Sequence, residues 1–229
     1  MPPTVRTENK YGLDWVLLNN RWYCVQNYSP THLADGTPIP IVTDATTWAG
    51  LETPARCLYN NSTDAEFIAK YGYLYNWYGI DEGLEMPCEG CVVPSSAEWE
   101  SLRDWMIANG FNWDETTTGN KIAKALASSG GEWANRNNAG DPGNNQASNN
   151  SSGLTMLPGG RRFEDGSFNG IAAMSYIWAR NLGNSFYIWN FDALARFSTG
   201  ISSTVGYSIR ISRPRAKMFL PPQLIYQGL

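Results

Sequence analysis

Polar and apolar positions alternate along this chain in short runs, and the runs are broken by Asn, Gly and Pro. Leu13-Asp14-Trp15-Val16-Leu17-Leu18 and Arg21-Trp22-Tyr23-Cys24-Val25 flank the pair Asn19-Asn20 within a strand-like stretch over 13–28. Two apolar runs around such a pair predict a β-hairpin. Asp35-Gly36-Thr37-Pro38-Ile39-Pro40 reads as a turn leading into extended chain. At Ser95 the period becomes helical. Ser95-Ser96-Ala97-Glu98 is a capping box behind Pro94, and Trp99, Leu102, Trp105 and Met106 then share one face until Asn109-Gly110 ends the helix. A shorter helix is expected from Asn120 to Ser128, with Ile122, Ala125 and Leu126 inward. From Ala134 to Gly153 the chain turns to Asn, Gly and Ser, which cannot build a core element and predict a long surface loop. Short strands return over 170–211.

This pattern predicts an α+β protein in which two helices pack on short antiparallel sheets joined by long Gly/Asn-rich loops. It shows no internal repeat and no second domain. The expected organisation is an N-terminal extension over 1–12, one domain over 13–213, and an apolar tail over 214–229. That tail carries Phe219, Leu220, Leu224, Ile225 and Tyr226, and such a segment usually docks on its own fold or on a partner.

Composition sharpens this picture at a few points. The aromatic share, 13% with 10 Trp and 12 Tyr among 229 residues, is high enough that rings are expected both in the core and on a recognition surface. A formal net charge of −4 provides no basic field for phosphate backbones, so nucleic acid is not an expected partner. No run approaches a membrane span, and Met1 to Thr7 contains no apolar stretch of the kind a secretory signal needs.

Candidate chemistry is sparse. The one histidine, His32, lies in a loop-like segment, and every Ser-His or Cys-His arrangement would have to run through it. Cys88-x-x-Cys91 has the spacing of a zinc knuckle, but Cys24 and Cys57 lie singly upstream. Structural cysteines, reduced or paired, are therefore the preferred reading, and no cofactor is expected. Pro94 and Ser95 separate the Cys-x-x-Cys from its helix, which argues against a redox role. Asp81, Glu82 and Glu85 lack the alternating oxygen ligands of a calcium loop and read as a solvated acidic loop. Leu157-Pro158-Gly159-Gly160-Arg161-Arg162 is Gly-rich without the Lys-Ser/Thr of a phosphate loop, and reads as a tight structural turn.

Several motifs occur in a telling order. Asp35-Gly36-Thr37-Pro38-Ile39-Pro40 precedes Pro54-Ala55-Arg56-Cys57-Leu58-Tyr59-Asn60-Asn61 and Tyr71-Gly72-Tyr73-Leu74-Tyr75-Asn76-Trp77-Tyr78. Val93-Pro94-Ser95-Ser96-Ala97-Glu98-Trp99, then Leu157-Pro158-Gly159-Gly160-Arg161-Arg162 and Gly166-Ser167-Phe168, follow. In order and spacing the chain resembles the Fibrobacter succinogenes major paralogous domain family of Bacteroidetes and their phages, over roughly 13–213. The resemblance implies a C-type-lectin-like fold related to formylglycine-generating enzymes and to the variable proteins of diversity-generating retroelements. In those variable proteins the C-terminal part of the fold carries the ligand-binding side chains, which corresponds here to about Ser175–Arg210. Departures occur at Cys88-Glu89-Gly90-Cys91-Val92 and at Tyr176-Ile177-Trp178-Ala179-Arg180, where the family usually reads Cys-Pro-x-Gly-Trp-His and Trp-Trp-Ser-Ser-Thr.

A candidate binding face follows from that implied position. Tyr176, Trp178, Tyr187 and Trp189 would supply contact area, Asn181, Asn184, Ser185, Asn190 and Ser198 hydrogen bonds, and Arg180, Asp192 and Arg196 charge. Alternation in Phe186-Tyr187-Ile188-Trp189-Asn190-Phe191 turns half of these aromatics inward. The expected function is non-enzymatic: a receptor-binding module on a phage or prophage particle, or on a cell surface, recognising a bacterial surface glycan or protein. A homo-oligomer, with the trimer as the suggested form, and other virion proteins are the expected partners. The alternatives are a structural virion component and an enzyme of the formylglycine-generating type. The latter needs a reactive cysteine pair near the C-terminal groove, whereas every cysteine here lies at or before Cys91.

Overall fold

The computed structural model describes residues 2–215. Three strands open the chain, β1 (Arg6–Lys10), β2 (Leu13–Leu18) and β3 (Arg21–Cys24), paired antiparallel in sequence. The expected hairpin is present: Leu18 faces Arg21, and Asn19 and Asn20 both take positive φ, 46° and 60°. Asparagine tolerates that left-handed conformation, and two such residues match the right-handed twist of the flanking strands. The boundary drawn at residue 12 is corrected, because Arg6–Lys10 pairs with Leu13–Leu17 as an edge strand of the domain. Its side chains are mostly polar and solvated, so hydropathy alone leaves it looking like an extension.

Short elements fill residues 25–95: α1 (Ala45–Ala49), β4 (Arg56–Cys57), α2 (Ala65–Tyr71), β5 (Leu74–Tyr75) and α3 (Trp77–Asp81). The long helix, α4 (Ser96–Ala108), starts where the capping box places it. The Ser95 hydroxyl accepts from the Glu98 amide at 3.2 Å, and the Glu98 carboxylate accepts from the Ser95 amide at 2.7 Å. Trp99, Leu102 and Met106 are buried and Trp105 packs at the margin of the same cluster.

The second helix is shorter than expected. α5 covers only Ala123–Leu126, with Ile122, Ala125 and Leu126 buried as anticipated. Asn120 is diverted by a better use of its amide. It donates to the Ala195 carbonyl at 2.6 Å and accepts from the Ala195 amide at 3.2 Å, so its side chain completes a sheet edge instead of starting a helix. The 134–153 segment lacks long regular structure, yet it is not a free surface loop. Asn149 is buried and donates to Ser128 and Pro142 carbonyls, Ser152 donates to Ala125, and the buried Lys124 ammonium donates to the Asp141 and Asn144 carbonyls. Polar side chains pin this loop to α5 because its backbone groups have no sheet to join.

A five-stranded sheet follows, ordered β10-β9-β8-β6-β7. Its strands are β6 (Gly159–Arg162), β7 (Phe168–Ile171), β8 (Met174–Trp178), β9 (Ser185–Trp189) and β10 (Ala195–Ser198). The Gly-Gly-Arg-Arg segment is thus a strand and not a turn; the turn comes later, where Phe163 donates to Ser167. Gly160 has φ +68°, and a Cβ there would stand 2.7 Å from the Asn169 carbonyl oxygen and from the Tyr59 ring. The sheet is antiparallel except for β6 beside β8, which run parallel. The protein is therefore mixed α/β, dominated by antiparallel sheets with few helices.

The last described strand, β11 (Ser212–Pro214), returns to pair with β3 and closes the first sheet into the order β1-β2-β3-β11. The tail expected over 214–229 lies outside the described residues beyond Arg215. Just before β11, the fully buried Arg210 donates to Cys24, Val25, Leu154 and Thr155 carbonyls and to the Asn27 side chain. Burial pulls its pKa down to about 10, so it stays charged at neutral pH.

The zinc reading of Cys88 and Cys91 is overturned, since the two are joined as a disulfide. Cys24 and Cys57 are buried in separate apolar clusters. Burial raises both thiols, Cys57 to about 12, although Arg162 opposes the shift there.

Two expectations follow from these interior groups. Arg210→Ala should lower stability by about 3–5 kcal/mol, since it strands several buried acceptors at once. Urea unfolding checks this, and a loss under about 1 kcal/mol would mean that the carbonyls find other donors. At pH 8 the native, unreduced protein should resist an uncharged maleimide, because a raised thiol pKa leaves little thiolate and burial blocks access. Two labels are expected after unfolding and four after reduction; mass spectrometry counts them, and native labelling at Cys57 would contradict its burial.

Candidate functional site

Register decides what the C-terminal strands present. Across β8 and β9, Met174 faces Trp189, Tyr176 faces Tyr187 and Trp178 faces Ser185, so these six share one side of the sheet. Ile177, Phe186 and Ile188 point to the other side and join the core beneath α4, where Phe186 stacks on Trp99 at 4.9 Å.

The first side is itself largely covered. Tyr176 stacks on Tyr207 at 4.8 Å with 7° between the rings, and Trp178 lies 4.7 Å from the same ring. The Trp178 indole also donates to the Tyr75 carbonyl at 2.7 Å. Cover thins along the row Tyr207, Tyr176, Tyr187, Trp189, Phe191, whose last four members are linked by ring distances of 5.0, 5.3 and 5.1 Å. Trp189 is half-buried and donates to the Tyr176 hydroxyl at 3.1 Å, while Phe191 is 42% exposed.

Several candidate contacts are accordingly corrected. Trp178 and Ser185, which face each other, are inaccessible, and Tyr176 and Tyr187 are nearly so, because neighbouring rings pack over this side of the sheet. Asn190 is fully buried and structural: its side chain donates to the Ala134 carbonyl, and its own carbonyl accepts from Gly143. Arg180, Asn181 and Asn184 belong to another neighbourhood. Asn181 accepts from the Ser96 amide at 2.9 Å, Asn184 donates to the Ser96 hydroxyl at 3.0 Å, and Arg180 sits 3.9 Å from Glu98. These three therefore dress the N-terminus of α4.

Trp189, Asp192 and Arg196 do come together. Arg196 donates through Nε to Asp192 at 2.8 Å, a second guanidinium nitrogen reaches the same oxygen, and the guanidinium lies 5.4 Å from the Trp189 ring. Ser198, half-buried, pairs with Ser185 farther along β10.

Other residues join this edge without having been singled out. Phe191 carries the Arg136 guanidinium at 5.5 Å. Arg161, from β6, lies 4.1 Å from the Phe163 ring and 4.9 Å from Tyr176. Burial raises the Tyr207 hydroxyl to about 12, and Arg161 opposes that shift through a hydrogen bond and its charge. Alternation marked Phe191 as one of two possible faces, but Arg136 sits in an Asn-rich loop and Arg161 in a segment that read as a turn. A neighbouring cleft of about 350 Å3 is lined by Trp113, Lys124, Asn144 and Asn145. Gly140 packs between Trp113 and Ala193 and so joins that cleft to the β9–β10 turn.

The edge is thus an aromatic strip bordered by guanidinium groups, suited to stacking and hydrogen bonding. No group of three or more His, Cys, Asp or Glu able to hold a metal occurs among the described residues, nor does a helix long and apolar enough to cross a membrane. A family model, the Fibrobacter succinogenes major domain, matches residues 16–213. No curated protein and no solved structure matches.

Stability should separate the two ends of the aromatic row. Trp178→Ala should cost about 3–5 kcal/mol, as for other buried Trp truncations, whereas Phe191→Ala should cost less than about 1 kcal/mol. Urea denaturation of both variants makes the comparison, and equal losses would mean that Phe191 is a core residue.

Proposed function

This chain belongs to the Fibrobacter succinogenes major domain family, and we propose that it is a non-enzymatic ligand-binding module of C-type-lectin-like fold. The observation that carries the reading is the partly exposed strip of Trp189 and Phe191, bordered by Arg136 and Arg196, at the end of an otherwise buried aromatic row. Rings of this kind offer large contact area at little entropic cost, and nearby guanidinium groups add directional donors. The turn that holds them lies within the segment to which the resemblance assigns ligand contacts. The fold assignment is supported by long Asn/Gly-rich loops and by a helix packed on antiparallel strands.

The cysteines favour binding over formylglycine-type chemistry: Cys24 and Cys57 are buried with raised thiols, and Cys88 is tied to Cys91. Display on a phage or prophage particle, or on a cell surface, is the setting the resemblance suggests, with a bacterial surface ligand as partner. The structural-component alternative leaned on the apolar tail, which beyond Arg215 lies outside the described residues.

Binding of the purified protein to intact cells of several Bacteroidetes strains tests the proposal. Strain-selective binding is expected, falling by at least about tenfold in Trp189→Ala/Phe191→Ala, the scale of a hot-spot truncation. Equal binding by the folded double variant would remove this strip as the site. No binding to any strain would overturn the adhesive role.

A further inference from the structure

We infer that the ligand of this face is anionic, an acidic saccharide whose carboxylate is received by Arg161. The inference rests on the binding role proposed above and specifies its chemistry. It begins from how the arginines of the chain are satisfied. Arg21, Arg103, Arg180, Arg196 and Arg213 each have a carboxylate within ion-pair distance. Arg162 and Arg210 are fully buried and saturated by carbonyl and amide oxygens.

Arg161 fits neither class, and it differs from Arg56, which also lacks a carboxylate among the described residues but donates to the Ile39 carbonyl and lies over Tyr73, in standing beside the aromatic edge. It is half-buried, no carboxylate of the described residues lies within ion-pair distance, and its Nε is shielded from solvent with no acceptor. The Tyr207 hydroxyl accepts one hydrogen bond from this guanidinium, and no carboxylate of the described residues neutralises its charge, so donors remain for an anion that reaches it. The Arg161 guanidinium lies over both the Phe163 and Tyr176 rings, at 4.1 and 4.9 Å, and contacts of this kind limit the freedom the fork has left to lose on binding.

The surroundings point the same way. The Tyr176 hydroxyl accepts from Trp189 and so links the Arg161 position to the exposed strip. Asp192, the acid beside that strip, is neutralised by Arg196, and Asp165 is occupied by the Ser167 amide and hydroxyl. Arg136, the other arginine on the strip, has no carboxylate partner among the described residues either. A chain of net charge −4 thus places at its aromatic edge two guanidinium groups without a carboxylate partner among the described residues. Flat ring faces suit the apolar face of a pyranose, and a planar fork suits a carboxylate bidentately. A sugar acid combines the two features.

Retention on immobilised alginate, polygalacturonate and hyaluronan, each beside its carboxyl-reduced form, tests this. The wild-type chain should prefer at least one acidic polymer over its reduced form by about tenfold or more, the scale of a charged hydrogen bond. Arg161→Gln should abolish that preference. Arg161→Lys, which keeps the charge but not the fork, should retain part of it. Urea unfolding of both variants checks that the fold is intact; a cooperative transition with a modest loss is expected, since Arg161 hydrogen-bonds the Tyr207 hydroxyl and lies over two rings. Equal retention on acidic and reduced polymers, or a preference unaffected by Arg161→Gln, would overturn the inference while leaving the binding role standing. Retention on none of the three would also overturn it, and the cell-binding result then decides separately whether the strip binds any partner.

Discussion

The beginning, middle and end of this fold meet at a buried cation that has no carboxylate partner among the described residues. Arg210 sits at full burial and is solvated by four backbone carbonyls and one amide side chain, drawn from residues 24–27 and 154–155. Those oxygens come from the end of the first hairpin and from the end of the long Asn/Gly-rich segment, which are far apart in sequence. Arg210 itself lies just ahead of the strand that closes the first sheet. One side chain therefore ties the beginning, middle and end of the domain together. Dipoles replace a carboxylate here, which avoids desolvating a second charge and fixes the position of each donating segment.

Arg162 repeats the device on a smaller scale. It donates to Gly166, Val42 and Thr43 carbonyls and lies over the Trp48 and Phe168 rings, holding α1 and the β6–β7 hairpin in register. Its neighbour Arg161 is left half-exposed against Tyr176, so one dipeptide supplies a structural arginine and a surface one. Packing of this kind leaves little of the C-terminal sheet free. Tyr207, Tyr176 and Trp178 close over one side and α4 over the other, so accessible chemistry is confined to the edge where β9 turns into β10.

That confinement separates the two kinds of asparagine in the chain. Asn120, Asn149 and Asn190 place amides against backbone groups that no strand reaches, and they are structural. Asn181 and Asn184 serve the start of α4. A composition rich in Asn therefore reflects a fold with much irregular backbone to satisfy, more than a surface rich in hydrogen-bonding contacts.

Local signals were legible in the sequence wherever the physics is local. The Asn19-Asn20 hairpin, the Ser95 capping box and the apolar face of α4 each depend on residues within a few positions of one another, and the family motifs were readable for the same reason. Strand Arg6–Lys10 carries no apolar alternation, and the Gly-Gly-Arg-Arg strand has too few side chains to show a period, so both were hidden. The alternation over 186–191 correctly marked two faces. Which of them was free could not be read, because that depends on Tyr207 and on α4, which lie elsewhere in the chain. Tertiary structure alone decided that Trp178 and Asn190 are interior, that Cys88 joins Cys91, and that Arg161 stands beside Trp189's partner Tyr176. Burial is a property of what packs on top, and what packs on top is set by contacts that a linear pattern does not record.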